Sequence, residues 1–360
     1  MRFKHVIFSV IFLSHGWLNA QDNAPKYSNE FMNIGVGART FGLGLSAVSY
    51  IDDATASYWN PAGLNHLKPD HQLSLMHSAY FAGIANYDFA SFATSVDSVG
   101  YLGISVLRFS VDDIADTRFL FDGSGGVNYD NIRYFSSSDY AVFLTYARVL
   151  PFLGGIDFGA NAKIIRRVVG DFADSWGFGL DIGFQKNIKG WNVGLVGKDL
   201  FGTFNSWSYN TAELSEIYTQ TGNEIPVNGL EVSLPRMLLG GSRVFSIGEM
   251  FTVMPTVDMA VTFDGKRNTL IKTEFASIDP YGGVELGFKK MAFLRLGVSQ
   301  FQQIEDFDTS KSWSFQPNLG VGFKIQELTV DYAFTDIGDQ SAGLYSHVFS
   351  VKVDFYSNEK

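Results

Sequence analysis

The sequence predicts an all-β protein, a transmembrane outer-membrane β-barrel of about 14 antiparallel strands with an N-terminal plug segment. Three observations lead to this prediction. A secretory leader opens the chain, apolar and polar residues alternate through most of the remaining sequence, and the connections between the alternating runs fall into a short set and a long set. The composition agrees, because Phe, Tyr and Trp make up 15% of 360 residues while charged residues reach only 18%, below the share usual for soluble domains.

Residues 1–20 have the parts of a signal peptide. The positively charged "MRFKH" precedes the apolar "VIFSVIFLSHGWL", and Ala20 stands before Gln21. We therefore expect cleavage near Ala20 and a mature protein in the outer membrane of a Gram-negative bacterium. No later run reaches about 18 apolar residues, which argues against a helical membrane protein. The sequence has no cysteine, so neither a lipoprotein nor a disulfide-stapled domain is expected.

Period-two alternation marks the strands. In "HVFSVKVDF" and "GFGLDIGFQ", apolar residues occupy every second position and polar residues or glycine the positions between them. The predicted strands are 71–79, 86–94, 99–108, 139–148, 156–167, 176–186, 191–199, 234–245, 250–263, 281–289, 292–300, 316–325, 328–335 and 344–355. A soluble β-sandwich would alternate as well, so the connections have to decide between the two architectures.

The connections form two interleaved sets. One set is short, with "SVDS", "NIKG", "SIGE", "KM", "QE" and, as its longest member, "VLPFLGG". The other contains all the long segments, which are 109–138, 200–233, 264–280 and 301–315. Because alternate ends of a meander point in opposite directions, this asymmetry is typical of an outer-membrane barrel with short periplasmic turns. An even strand count returns the C-terminus to the periplasm, so we assign "NTLIKT" (268–273) to a loop and not to a fifteenth strand.

In that geometry the Phe and Val faces of the strands lie against lipid. The charged residues that would point inward are Lys163, Asp181, Glu285, Lys324, Asp331 and Asp354. Strand alternation alone predicts polar residues in a lumen, so the plain interpretation is a water-filled interior and not a ligand site. Pro255 within strand 250–263 suggests a bulge or kink, because proline removes a ladder donor.

Residues 21–70 precede the first strand and alternate too little to form wall. The glycines near Gly35 do not indicate a dinucleotide site, since such a loop needs a hydrophobic strand before it and "QDNAPKYSNE" is polar. The expected organisation is therefore a signal peptide over 1–20, an N-terminal periplasmic or plug segment over 21–70 and a barrel over 71–356.

Two stretches resemble a known family. "GARTFGLGLSAVSYIDDATASYWNPAGL" closely resembles the N-terminal signature of the PorV/PorQ family of FadL-like barrels, and "LTVDYAFTDIGDQSAGLYSHVFSVKVDF" is similar to the family's last two strands. The resemblance implies fourteen strands and an N-terminal plug. The plug motif would comprise Gly37, Arg39, Gly42, Gly44, Asp52, Asp53, Trp59, Asn60 and Pro61. We expect Asp52, Asp53 and Asn60 to hydrogen-bond with backbone or inward side chains and Pro61 to end the segment before the wall.

The resemblance implies two functions. One is an accessory or cargo-binding role in type IX secretion and surface attachment, with secretion subunits or secreted cargo as partners. The alternative is a FadL-like channel that passes hydrophobic small molecules through a lateral wall opening. The segment 200–233 mixes aromatic and polar residues as protein-contact surfaces do, which favours the first, with Phe204, Trp207 and Tyr209 as candidate anchors in an extracellular loop.

Other classes of function find little support. The net charge of -10 argues against nucleic acid, because binding phosphates needs clustered Lys and Arg. Neither H-E-x-x-H nor G-x-S-x-G occurs, and the adjacent His77 and Ser78 point to opposite faces of a strand. The acidic residues within 109–138 lack EF-hand spacing. We expect no enzyme, no cofactor and no metal, with the outer-membrane bilayer as the first partner.

Overall fold

The computed structural model describes residues 28–97, 99–121, 124–222, 224, 226–265, 267–305, 310–337 and 344–357. The expected signal peptide, residues 1–20, lies outside these ranges. Within them the chain forms one antiparallel sheet that closes into a fourteen-stranded barrel with three extra strands, so the predicted fold class is confirmed. No helix in the described part of the chain is long and apolar enough to cross a membrane.

The strands follow one another along the chain as hairpins. They are β1 (His71–Tyr80), β2 (Ala85–Ser95), β3 (Gly100–Asp116), β4 (Arg133–Leu150), β5 (Ile156–Val169), β6 (Ala173–Ile188), β7 (Trp191–Tyr209), β8 (Gly229–Ser233), β9 (Arg236–Ser242), β10 (Phe245–Ile247), β11 (Phe251–Thr262), β12 (Ile271–Lys272), β13 (Ser277–Phe288), β14 (Ala292–Glu305), β15 (Lys311–Ile325), β16 (Leu328–Thr335) and β17 (Ser346–Phe355). Outside the plug, a helix Thr211–Thr221 and the 3₁₀ helices Tyr129–Asn131 and Pro151–Leu153 lie in the connections.

The barrel closes between its first and last strands. β1 pairs with β2 on one side and with β17 on the other, from His71 opposite Phe355 to Ala79 opposite His347. The wall consists of β1 to β7, β9, β11 and β13 to β17. β12 does not belong to it, because β11 pairs directly with β13, so segment 268–273 contributes no fifteenth wall strand.

Exposure alternates along the wall as predicted. On β6, Phe178 and Leu180 are each 48% exposed, whereas Asp181 is 2% exposed. On β17, Phe349 faces outward and Ser350 is buried. The outer face of the wall is therefore apolar and meets lipid, and the inner face carries most of the polar residues.

Several strands extend beyond the predicted bounds at the long-loop end. β7 continues to Tyr209 and β3 to Asp116, so the assignment of 200–209 to a loop is wrong. The outward residues there include Phe204, Ser206 and Ser208, and Trp207 points inward. Because this part of the strand rises above the apolar band, polar residues take outward positions, and the apolar-outward alternation of the wall does not continue through it.

The wall is least regular in β7. Leu180 of β6 pairs with Leu200, while the neighbouring pairs are Phe178 with Phe204 and Ile182 with Gly197. β7 therefore bulges between Gly197 and Phe204. A milder interruption lies beside Pro255. On one side its ladder with β13 is continuous, but on the other side β9 ends and β10 begins.

Residues 28–67, here called the plug, lie inside the barrel. They contain the helical turns Glu30–Asn33, Ala38–Gly42, Ala56–Trp59 and Pro61–His66. None of these is long enough to be stable alone, so their conformation depends on contacts with the wall. Nearly all side chains of the plug are buried.

Inward-facing glycines of the wall form the seat of the plug. They are Gly159, Gly183, Gly194, Gly283, Gly297 and Gly320. A Cβ atom on Gly283 would lie 2.6 Å from the carbonyl oxygen of Leu43, and one on Gly320 would lie 2.9 Å from Cα of Gly42. These strands therefore lack side chains where the plug backbone touches them.

Candidate functional site

Arg39 anchors the plug to the charged side of the barrel interior. Its Nε and Nη2 atoms donate to Glu285 on β13 at 2.9 and 3.0 Å, and Glu285 also accepts from Arg295 on β14 at 2.7 Å. Arg295 donates in turn to Asp331 on β16. Burial acts to lower the pKa of Arg39, but Glu285 and Asp52 raise that pKa overall. The guanidinium therefore remains charged and links the plug to three wall strands.

The neighbouring carboxylates of the plug differ in environment. Asp53 is buried and accepts hydrogen bonds from Nζ of Lys352 at 2.6 Å and from the backbone and side chain of Thr55. Burial acts to raise the pKa of Asp53, but Lys352 and Thr55 outweigh it and lower that pKa to about 2. Asp52 contacts Arg39 at 3.4 Å and Lys68 at 3.8 Å, and its side chain is 36% exposed.

Asn60 joins two parts of the plug to the wall. Its Nδ2 atom donates to the carbonyl oxygens of Val48 and of Phe184 on β6, at 2.9 and 3.1 Å. Its Oδ1 atom accepts from the backbone N–H of Ala62 and caps the next helical turn. Pro61 is the first residue of that turn, so the expectation that Pro61 ends the segment is wrong. Proline suits this position because its missing N–H is not needed there.

The remaining motif residues shape the plug itself. Trp59 donates from Nε1 to the carbonyl oxygen of Val36 at 2.9 Å. Gly37 and Gly44 have φ angles of 84° and 64°, which residues with a side chain rarely adopt. Gly42 packs against Gly320 of β15, where a Cβ atom would come within 2.8 Å. The motif residues therefore come together as one folded unit.

Two further anchors of the plug lie outside the predicted motif. Asp258 on β11 accepts from the backbone N–H groups of Ala47 and Val48 at 2.6 and 2.8 Å. His66 lies 3.1 Å from Asp157 on β5; the hydrogen bond to Asp157 raises the pKa of His66, although burial opposes it. Strand alternation could have indicated the inward position of Asp258, but nothing in the sequence pointed to His66.

Most of the inward charges are not solvated as the plain interpretation of a water-filled lumen supposed, although the side chain of Lys324 is 40% exposed. Lys163, Asp181 and Asp331 are each 3% exposed or less. Lys163 pairs with Asp181 at 2.7 Å and also with Asp199, and Lys324 pairs with Asp354 at 2.9 Å. Because the plug fills the lumen, these groups bind one another or the plug.

The inner face of β1 to β5 departs from the polar pattern. In its half nearer the long loops, the residues that point inward form a surface that we call the apolar inner wall. It comprises Met76, Tyr87, Phe89, Leu107, Phe109, Ala141, Phe143 and Ile165. Phe89, Leu107, Ala141 and Ile165 are direct cross-strand neighbours on four successive strands. This surface is continuous across about 15 Å of sheet, taking ~4.8 Å per strand.

The plug covers the apolar inner wall. Tyr58 packs edge-on against Phe89 and Phe143, with ring centroids 6.4 and 6.0 Å apart. Its hydroxyl donates to the carbonyl oxygen of Met32 at 2.6 Å, and Tyr87 donates to that of Phe31 at 3.1 Å. The N-terminal residues of the plug therefore occupy the space that the apolar wall encloses.

Solved structures share this architecture. No protein-family model matches the sequence, and no curated protein matches it. The CymD monoaromatic hydrocarbon channel is similar over 91% of this chain and 99% of its own, with 15% identity and a TM-score of 0.56. The toluene transporter TodX of Pseudomonas putida is similar over 89% of this chain and 98% of its own, with 14% identity and a TM-score of 0.56. A Pseudomonas aeruginosa FadL homologue is similar over 89% of this chain and 98% of its own, with 10% identity and a TM-score of 0.52.

This chain has their fold. At such low identity the likeness extends to the architecture of the FadL-type outer-membrane barrels and no further. The PorV/PorQ assignment, with its type IX role, is not shown by these neighbours and stays a prediction from the sequence.

The candidate partner-binding residues do not lie in a loop. Phe204 faces outward on β7 and contacts Phe178, with ring centroids 6.0 Å apart. Trp207 points inward, is 8% exposed and lies under Arg167. Tyr209 is the last residue of the strand. The three residues therefore do not share one accessible surface, and the prediction that they form a loop-borne patch is wrong.

The described residues contain no group of three or more His, Cys, Asp or Glu side chains that could hold a metal ion.

Proposed function

We propose that this protein is an outer-membrane channel for hydrophobic small molecules, with the apolar inner wall as the surface that receives them. The neighbours whose fold it shares are named as hydrocarbon channels and toluene transporters. We further propose a cleaved signal peptide over 1–20, a plug-bearing segment over 21–70 and a barrel over 71–356.

The observation that carries this proposal is the apolar inner wall itself. Barrels that conduct water and ions have a polar interior. Here aromatic and aliphatic side chains replace polar ones on five successive strands. Burial of apolar surface contributes roughly 25 cal/mol per Å², so a hydrophobic molecule could take the place of Phe31 and Met32 without exposing this surface to water.

Passage along this route requires the plug to move. The ladder between β2 and β3 is continuous from Asn86 to Ser95, so the wall beside the apolar surface has no gap there. The bulge in β7 is backed by the buried charges of Lys163, Asp181 and Asp199, which disfavour an apolar molecule. We therefore propose that molecules leave past a displaced plug.

Cysteine pairs can test this movement, because the natural sequence has no cysteine. The hydroxyl oxygens of Ser46 in the plug and Thr256 on β11 lie 2.7 Å apart. The double variant Ser46→Cys, Thr256→Cys would lock the plug to the wall. Asn187 and Asn192 are paired on the neighbouring strands β6 and β7, with Nδ2 of Asn187 2.8 Å from Oδ1 of Asn192, and give a control disulfide within the wall.

The readout is the uptake of radiolabelled toluene and, separately, oleate by proteoliposomes. We expect the plug-to-wall lock to reduce uptake at least tenfold, with recovery on reduction, while the Asn187→Cys, Asn192→Cys control keeps uptake in both redox states. Equal uptake by the locked and reduced forms would contradict passage past the plug. Absence of uptake by the unlocked protein for both compounds would contradict the channel.

Binding can be tested apart from transport. Phe89 points into the lumen and Phe92, on the same strand, is 40% exposed on the lipid face. We expect Phe89→Ser to weaken binding of toluene or oleate to the purified protein and Phe92→Ser to leave it unchanged. The same loss in both variants would indicate damage to the barrel and would remove this support.

The protein-binding function remains a second candidate. It is favoured by exposed aromatic residues beyond the long-loop end, among them Phe121 (65%), Tyr129 (74%) and Phe275 (78%). Aromatic side chains supply many interface anchors. Gentle extraction of the native protein followed by mass spectrometry would test it, since recovery of a secretion subunit or cargo supports this candidate and recovery with bound hydrophobic molecules alone supports the channel.

A further inference from the structure

The lipid-facing side of the wall carries a row of polar and aromatic side chains in direct cross-strand register. It runs across β1 to β6 and comprises His77, Asp88, Arg108, Tyr140, Arg166 and Trp176. His77 and Arg108 both contact the carboxylate of Asp88, at 2.7 and 3.4 Å. We call this the outer polar row.

The outer polar row marks one border of the apolar band. On the side of the short turns, the next outward residues are apolar, as at Leu75, Val106 and Phe178. On the side of the long loops, they include Asn86 and Asp174. The row therefore lies at the depth of lipid head groups, in the leaflet nearer the long loops, which is the outer leaflet if the short turns are periplasmic.

The two arginines of the row keep free donors within the described part of the chain. Arg108, whose side chain is 40% exposed, donates a single hydrogen bond there, from Nη1 to Asp88. Arg166 donates from Nη1, to Asp174 and to a backbone oxygen, and its guanidinium lies 5.0 Å from the ring of Trp176. Their strands are separated by β4, which puts them about 10 Å apart. A guanidinium with free N–H groups is the side chain best suited to a phosphate.

A groove opens on the lipid-facing side of the wall, between the outer polar row and the short turns. It has a volume of about 540 Å³ and is lined mainly by outward residues of β2 to β6. Its floor includes Ala160 and Ala162, which are small, and its sides include Leu144, Tyr146 and Leu180. Arg166 and Ala162 are four residues apart on β5, or about 13 Å along the strand. That distance matches much of an extended acyl chain.

We propose that the outer polar row and this groove together bind one phosphate-bearing lipid of the outer leaflet. The arginines contact phosphate, and one acyl chain follows Val142 and Ile164 into the groove. Free phosphate has the same head-group chemistry, but it would use the arginines alone. The apolar groove beside the arginines therefore favours a lipid over free phosphate as the ligand. This inference does not depend on the proposed transport function, since it concerns the opposite face of the wall.

The experiment is native mass spectrometry of the detergent-purified barrel with lipid A, diacylglycerol or inorganic phosphate added. We expect retention of lipid A above that of diacylglycerol. The double variant Arg108→Gln, Arg166→Gln should lose most of this retention, about tenfold or more. Arg148→Gln is the matched control, because Arg148 is exposed on the same face of β4 near the short turns, away from the row.

The groove is tested separately. Ala162→Leu fills its floor and should reduce lipid A retention several-fold, whereas Ala90→Leu, on the outward face of β2 outside the groove, should not. Equal retention by all variants would overturn the site. Loss in the arginine variant alone, with inorganic phosphate displacing the lipid, would overturn the role of the groove and leave a phosphate contact.

Discussion

Nζ of Lys352, on the last strand of the wall, donates a 2.6 Å hydrogen bond to Oδ2 of Asp53 in the plug, across 299 positions of sequence. Both side chains are largely withdrawn from water, with 12% and 7% exposure. Removing one partner of a buried pair leaves the other charge uncompensated. The contact therefore holds the plug in place.

We expect Asp53→Asn to loosen the plug without preventing barrel assembly. The loss of a buried ion-pair partner typically costs about 3 kcal/mol. The measurement is conductance in planar bilayers, which should rise in the variant while heat-modifiable migration on gels stays normal. Asp52→Asn is the matched control, because the Asp52 side chain is 36% exposed, and its conductance should remain close to that of the natural protein.

Acid should have the same effect on the natural protein. The pKa of Asp53 is lowered from 3.8 to about 2 in the folded state. Its contribution to the stability of the docked plug is therefore present above pH 3.8 and is lost as the pH falls toward 2. The contribution amounts to about 2 kcal/mol. Conductance should rise between about pH 4 and pH 2, and this step should be absent from Asp53→Asn. A step of the same size in both proteins would assign the effect to another group.

His66 should give the opposite pH dependence. Its pKa is raised from 6.5 by Asp157, so the contact stabilises the plug fully below that ordinary value and loses its effect as the pH rises through the raised value. We expect a cysteine at Lys68, beside the last turn of the plug, to be labelled faster as the pH increases through this range. His66→Gln should make the labelling rate independent of pH in this range. A cysteine at Lys189, which is exposed, measures the effect of thiol ionisation, and both rates are corrected for it.

The glycine seat predicts a sharp difference between neighbouring strands. A Cβ atom on Gly194 would overlap the carbonyl group of Val48, whereas one on Gly241, which faces outward, would meet nothing within 4 Å. Overpacking of this kind costs about 1 to 3 kcal/mol. We expect Gly194→Ala to make the plug sensitive to protease in folded barrels and Gly241→Ala to leave it protected. Protection of both variants would show that the plug can shift to accommodate the methyl group.

The orientation of the barrel can be checked by labelling single cysteines in intact cells. We expect labelling at Asn128, between β3 and β4, and none at Lys189, in the turn between β6 and β7. The short turns would then be periplasmic, as in other bacterial barrels. Labelling only at Lys189 would invert the assignment.

Strand alternation made most of the wall predictable. All fourteen wall strands were expected near their observed positions because one face meets lipid and the other does not. The rule failed where outward positions are polar, as at Ser206 and Ser208 on β7, and there the sequence predicted a loop in place of a strand. The consequence was the misplacement of Phe204 and Trp207.

The site was less predictable than the wall. Asp53 and Asn60 were expected to have polar partners inside the barrel, but Lys352 could not be named, because nothing local relates positions 299 apart. The apolar inner wall was missed for a different reason. Phe89 and Leu107 lie on inward positions, and their outward neighbours Asp88 and Arg108 are polar. The rule that apolar residues face lipid therefore points the wrong way at these positions.

The seam between β1 and β17 has a consequence for assembly. The plug leaves the ribosome before any strand of the wall, yet its contacts lie on β5 and β6 and also on β13 to β17, at both ends of the barrel sequence. Its seat is therefore incomplete until the first and last strands have paired. The part of the chain that is synthesised first can therefore complete its contacts only after the part that is synthesised last has folded. A barrel that closed without the plug would keep an unfilled pore.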